Sequence, residues 1–342
     1  MKALRINAVD DLCLCEMPKP QMTDGEALIK VKYIGVCGTD IHVLRGNHPT
    51  AVYPLIPGHE YVGELVEIKG KGSERFSLGD IVVAQELVTC GHCEPCAKGV
   101  DNVCTSLQII GVHTHGGFAE YVKVPTRKMY RYDAGIDLQL ASLTEPLAVA
   151  VHDVRRSGLK VGETAFVLGG GPIGLLVAMV ARQAGARTVV LAEINDHRRS
   201  VAEQMGFTVV NPLDKDYEQQ LEELSEGRGF DVSFEAAGAK NALNTCIDHT
   251  KNTGTVVVIA ISDAPYAINS GKIFAKELTL AGVRVHNQYN FIGAMDIIKS
   301  GVLNDDLMKL VSKVFPLSEA VEAFAYAESN KESFKTLVKV AD

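Results

Sequence analysis

A chain of 342 residues, 46% hydrophobic and 22% charged, has the balance of a globular protein with room for about two domains. A formal charge of −8 and an isoelectric point near 5.7 argue against nucleic acid or an anionic membrane as a main partner, since both call for basic surface. No stretch of about 18 apolar residues is present, nor a basic leader with an apolar core, so the cytoplasm is the expected compartment.

Residues 1–150 read as β-rich. Alternating or β-branched runs at 27–33, 61–68, 80–83 and 119–124 predict strands, and Gly70-Lys71-Gly72, Leu78-Gly79-Asp80 and Gly116-Gly117 mark turns between them. Two groups of metal-ligand residues lie in this module. In the first, Cys37 shares the run Cys37-Gly-Thr39-Asp40-Ile-His42, and Gly58-His59-Glu60 follows. One thiol, one imidazole and a carboxylate would leave a tetrahedral ion with an open position, the pattern of a catalytic zinc. In the second, Cys90, Cys93, Cys96 and Cys104 give C-x₂-C-x₂-C-x₇-C, four thiolates able to close around one structural Zn²⁺. An iron–sulfur cluster is the rival there, and the missing proline after the last cysteine together with the nicotinamide motif below favours zinc.

From residue 147 the pattern changes. A helix is predicted over 147–157, and after it strands at 164–168, 188–193, 208–210, 231–235, 255–261 and 278–283 alternate with helices. Six near-continuous apolar strands of this kind predict a parallel sheet covered on both faces. Its first turn reads Gly169-Gly-Gly171-Pro172-Ile173-Gly174, which fits G-x-G-x-x-G with a strand before it and a helix after. Gly169 would allow the sharp turn, Gly171 the approach of a pyrophosphate and Gly174 close helix–strand packing, with phosphate charge drawn to the helix start. Glu193 closes the second strand about 20 residues on, where a carboxylate accepts ribose hydroxyls and repels a 2′-phosphate, so NAD is favoured over NADP. Arg198, beside His197 and Arg199, tempers that preference because a guanidinium there can receive a phosphate.

Helices at 292–300 and 317–328 and a strand at 336–340 follow. This C-terminal piece has no sheet of its own and is expected to complete the first module. The expected division is a catalytic domain of 1–150 completed by 288–342, a dinucleotide domain of 151–287 inserted into it, and a cleft between them.

Taken together, Cys37-Gly-Thr-Asp-x-His42, Gly58-His59-Glu60, the four-cysteine loop and Gly169-x-Gly-x-x-Gly174 make the chain resemble, over essentially its whole length, the zinc-dependent medium-chain dehydrogenases. The branch is that of sorbitol and other polyol dehydrogenases and L-threonine 3-dehydrogenase. The resemblance implies an α/β plus β architecture: a GroES-like β-rich catalytic domain with an inserted Rossmann doubly wound domain, assembled as dimers or tetramers. It implies that Cys37, His59 and Glu60 hold a catalytic zinc and that Glu145, in Thr144-Glu145-Pro146-Leu147, binds the metal or its water. Asp40 would orient His59. Thr39 would take the proton of the alcohol and His42 would deliver it to solvent. Ile173, Glu193, Arg198, Ile259, Ala260, Ile261, Val283 and Arg284 would contact the cofactor.

The chemistry expected is zinc-assisted ionisation of a secondary alcohol followed by hydride transfer to NAD. Glu145-Pro-Leu-Ala-Val149 looks like the polyol type rather than the threonine type, so a polyol or related sugar-derived substrate is expected. Val43 and Arg284-Val-His286 depart from the sorbitol pattern. Arg284 would suit a carboxylate, which keeps an aldonate as an alternative beside L-threonine. A non-enzymatic NAD-binding protein on the same fold would lack zinc ligands or relay residues, and here all are present. Cys13, Cys15 and Cys246 have no assigned role.

Overall fold

The computed structural model describes residues 1–261, 265 and 267–341. The chain divides into two compact units, Met1–Glu145 with Asn287–Asp342, and Pro146–His286.

The first unit is built on a mixed sheet of seven strands. Along it run Val311–Pro316, Lys335–Lys339, Glu26–Val36, Glu60–Ile68, Ile81–Ala84 and Met129–Arg131, with Tyr121–Pro125 also paired to Glu26–Val36. The C-terminal strands are integral to this sheet: Leu337 lies opposite Gly35 and Thr336 opposite Val36. The strand Val311–Pro316, absent from the sequence expectation, pairs in parallel with Lys335–Lys339. Its exposed lysine and serine leave it little apolar alternation to read. An N-terminal hairpin, Lys2–Ala8 with Asp11–Glu16, is a second unforeseen element.

Burial explains why the long strand Glu26–Val36 is the spine. Ala27, Leu28, Ile29, Val31 and Ile34 are fully buried, and neighbours press on both of its edges. The helix Ala320–Ser329 closes one side, with Phe324 packed edge-on against Phe118 at 5.0 Å between ring centres.

The second unit is a six-stranded, all-parallel sheet. Its order is Thr208–Val210, Thr188–Ala192, Thr164–Leu168, Phe230–Glu235, Thr250–Val258, Thr279–Gly282, or 3-2-1-4-5-6 counted along the unit. That order places the first and fourth strands side by side at the switch point where such sheets take a dinucleotide. Phe166 stacked on Phe230, with ring centres 5.2 Å apart, anchors the core beneath it. The fifth and sixth strands end at Val258 and Gly282, short of the 261 and 283 read from the sequence, because the following residues turn away to bond the neighbouring strand end. Among the described residues no helix is long and apolar enough to cross a membrane.

Candidate active site

In the first unit the ligand atoms of Cys37, His59 and Glu60 lie within 4.8 Å of one another. Local backbone demands bring them there. Cys37 caps the short helix Gly38–Leu44, and its N–H donates to Asp40 Oδ2 at 2.9 Å. The other oxygen of Asp40 accepts the N–H of Gly58 at 3.0 Å, so one fully buried carboxylate ties the loop bearing Cys37 to the loop bearing His59. Gly58 has φ 97°, and a Cβ there would meet Phe118 at 2.4 Å and Ile34 at 2.5 Å. Only glycine fits.

Asp40 Oδ1 stands 3.7 Å from His59 Nδ1, beyond a hydrogen bond, so its link to the imidazole is electrostatic while its hydrogen bonds go to the two loops. Burial pushes the Asp40 carboxyl up to about 6. Burial pulls His59 down, but the charges of Cys37 and Asp40 outweigh it and hold the imidazole well above its usual value. Anionic groups that draw a proton onto a buried histidine mark a site short of positive charge. A divalent cation fits that deficit and this mixed sulfur, nitrogen and oxygen donor set.

Glu60 has a partner that sequence reasoning missed. Lys335, on the C-terminal strand, donates to both of its carboxylate oxygens, and a Cβ on Gly35 would sit 2.2 Å from Oε2. Glu145 is buried in the same unit, close enough for its charge to act on His59 and Lys335. Thr39 and His42 lie one turn apart on the helix Gly38–Leu44, the first half-buried and the second exposed.

The sulfurs of Cys90, Cys93, Cys96 and Cys104 also converge. Tetrahedral thiolates about 2.3 Å from one ion lie roughly 3.8 Å apart. Here Cys93 to Cys96 is 3.4 Å, Cys93 to Cys104 is 3.8 Å and Cys90 to Cys96 is 3.9 Å. Backbone N–H groups of Cys90, Cys93 and Ser106 point at the sulfurs of Cys104, Cys90 and Cys104, and those of Thr105 and Cys96 hold the Cys93 thiol down to about 6. The four residues fit one tetrahedral metal with no open position.

In the second unit the glycine turn behaves as its spacing requires. Gly169 has φ 107°, and a Cβ there would press on the Ala236–Ala237 backbone at 2.8–2.9 Å. A Cβ on Gly174 would strike the Gly169 carbonyl oxygen at 1.8 Å. Gly171 caps the helix Pro172–Gln183, with Ile173 in its first turn. Glu193 is buried: Oε2 accepts the Gly170 N–H and Oε1 the Asn195 N–H, both at 2.8 Å, while Arg198 Nη1 stands 3.9 Å from Oε2. Turn and acid are thus joined directly.

Glu235, a second residue that sequence reasoning missed, ends the fourth strand fully buried. Its Oε1 accepts the N–H groups of Ala237 and Gly238 at 2.9 and 2.7 Å, fixing the loop that backs Gly169. Ile259 and Ala260 donate to the Glu235 carbonyl, and Val283 to that of Val258, so these expected cofactor residues share the C-terminal edge of the sheet with the glycine turn. Ile261 and Arg284 are exposed there.

Comparison with known proteins agrees with this geometry. Residues 23–134 match the family described as alcohol dehydrogenase GroES-like domain, and residues 172–300 match zinc-binding dehydrogenase. The chain is 40% identical, over 92% of its length and 92% of the relative's, to 2-dehydro-3-deoxy-L-galactonate 5-dehydrogenase of Pseudoalteromonas atlantica. It is 33% identical, over 95% of both chains, to L-threonine 3-dehydrogenase of Shewanella woodyi. Among solved structures, an alcohol dehydrogenase from Escherichia coli CFT073 complexed with NADH superposes with a TM-score of 0.93 at 28% identity, covering 99% of each chain.

Proposed function

The chain belongs to the zinc-dependent medium-chain alcohol dehydrogenases, and from that footing we propose that it oxidises a secondary alcohol of a polyol or sugar-derived substrate to a ketone with NAD. The observation that carries this is the convergence of Cys37, His59 and Glu60 on one point of a unit whose partner unit bears a complete dinucleotide turn.

Cys37 and His59, with Glu60 or Glu145, would hold a zinc ion that would supply charge stabilisation to an alcohol oxygen, and the glycine turn would hold the NAD that would take the hydride. The protein's own groups do the rest. Asp40 keeps the two ligand loops together. The Thr39 hydroxyl, half-buried on the helix Gly38–Leu44, takes the alcohol proton, and His42 on the exposed side of the same helix releases it to solvent. Pro172 and Ile173 begin the helix that faces the pyrophosphate, while Glu193 accepts the adenosine ribose hydroxyls with Arg198 beside it. Ile259 to Ile261 and Val283 to Arg284 border the rest of the cofactor. The four-cysteine lobe holds a second, structural zinc. We assign catalysis to 1–150 with 288–342 and cofactor binding to 151–287, and expect a cytoplasmic dimer or tetramer.

NADH formation by zinc-loaded protein, measured over pentitols, hexitols, inositols, aldonates and L-threonine, tests the substrate. Turnover of neutral polyols supports the proposal, preference for aldonates transfers it to sugar acids with Arg284 as the carboxylate reader, and the absence of any NADH defeats it.

A further inference from the structure

On the N-terminal hairpin of the first unit, two thiols that no motif accounts for share one face. Cys13 and Cys15 belong to the strand Asp11–Glu16, which pairs antiparallel with Lys2–Ala8 so that Cys13 stands opposite Arg5 and Cys15 opposite Ala3. Residues two apart on a strand point to the same side, so both sulfurs lie on the side of Arg5 and Asn7. The other side carries Leu4 and Ile6, both fully buried, opposite Leu14 and Leu12. Arg5, Asn7 and the two cysteines are all half-buried. Arg5 Nε donates to Asn7 Oδ1 at 2.5 Å, and the Asn7 amide in turn donates to Cys13 Sγ at 3.4 Å. Backbone hydrogen bonds of 2.8–2.9 Å, from Leu4 to Phe118 and in both directions between Ile6 and Leu55, fix the hairpin to the unit.

We propose that Cys13 and Cys15 form a two-sulfur site for one soft monovalent metal ion of the Cu(I) class, with Arg5 and Asn7 as its polar surround. Two steps along a strand separate the Cα atoms by about 6.6–6.8 Å, the far limit at which a disulfide closes. An ion between the sulfurs lengthens the bridge to two metal–sulfur bonds of about 2.3 Å each. The extended strand therefore suits a sulfur–metal–sulfur link and resists a disulfide. Thiolates select soft ions, and among the described residues no third His, Cys, Asp or Glu joins this pair to make the fuller set that zinc takes. Two thiolates around a monovalent ion keep one negative charge, which the Arg5 guanidinium on the same face offsets. Burial pushes the Cys15 thiol up, the Cys13 charge adds to the rise and Arg5 opposes it. Two ionised sulfurs on one short strand repel each other, and a cation between them relieves that repulsion as it displaces their protons.

The test titrates the reduced, zinc-loaded protein with Cu(I) delivered from a competing chelator. Wild type should take up one Cu(I) per chain with its zinc content unchanged, and X-ray absorption at the copper edge should show two sulfur neighbours. Cys15→Ser should weaken that uptake by at least about a hundredfold, since one of two soft ligands is gone. Arg5→Gln should weaken it roughly tenfold, as changes around a metal's ligands do. Zinc content and NADH binding report that each variant is folded. Copper found with three or four sulfurs as zinc is released would place it in the four-cysteine lobe. That result, equal uptake by wild type and Cys15→Ser, or no uptake by wild type overturns the site.

Discussion

Lys335 Nζ donates to both oxygens of Glu60, at 2.7 and 2.8 Å, from a strand 275 residues further along the chain. Both side chains are buried, and the ammonium also faces the Val36 carbonyl at 3.4 Å. The C-terminal strand therefore does more than finish a sheet. It supplies the cation that fixes the carboxylate clustered with Cys37 and His59.

Removing one partner of a buried ion pair leaves an uncompensated charge and costs about 3–5 kcal/mol. Lys335→Met should therefore lower the melting temperature and the zinc content together. Adding Glu60→Gln should recover part of the stability, and a Lys335→Met protein that melts like wild type would contradict the pairing.

Cys93→Ser removes one corner of the four-sulfur cluster. Metal analysis should find one zinc fewer per chain, and the melting temperature should drop, while NADH still binds to the separate nucleotide unit. Unchanged zinc content would argue against a metal at this lobe.

Glu193→Ala takes away the carboxylate that accepts the Gly170 and Asn195 N–H groups. It should weaken NAD roughly tenfold and NADP less, since the loss of negative charge beside Arg198 offsets part of the damage for a 2′-phosphate. Equal losses measured by fluorescence titration would remove the ribose assignment.

His152, on the helix Thr144–Ser157, is pushed down to about 4 by burial, with the charges of His286 and Arg156 adding to it. The unfolded chain takes up this proton near pH 6.5, whereas the folded chain resists until about pH 4. Stability from this group is full above pH 6.5 and is lost as pH falls toward 4, on the order of 3 kcal/mol in all. Melting curves of His152→Gln should be flatter than wild type across that window, and parallel curves would refute the assignment.

Much of this protein is legible in its sequence because the signals are local. The dinucleotide turn declares itself in six residues, since clashes at Gly169 and Gly174 leave no other side chain room. The four thiols sit within one short loop. Lys335 is not legible for the opposite reason: it acquires its role from a residue brought near by the sheet. A lysine near the C-terminus reads as solvated surface until the Lys335–Lys339 strand pairs with Glu26–Val36 and buries it. The helix Gly38–Leu44 was equally hidden, being too short to show an apolar face and held by the Asp40 carboxylate instead.

The most direct test places zinc-loaded wild type beside Cys37→Ser and follows NADH formation with the best alcohol of the panel, with NADH affinity measured on both. Turnover lost by several orders of magnitude in Cys37→Ser, with NADH binding retained, is the result expected of a catalytic metal held by Cys37, His59 and a neighbouring carboxylate. Turnover retained in Cys37→Ser would contradict it.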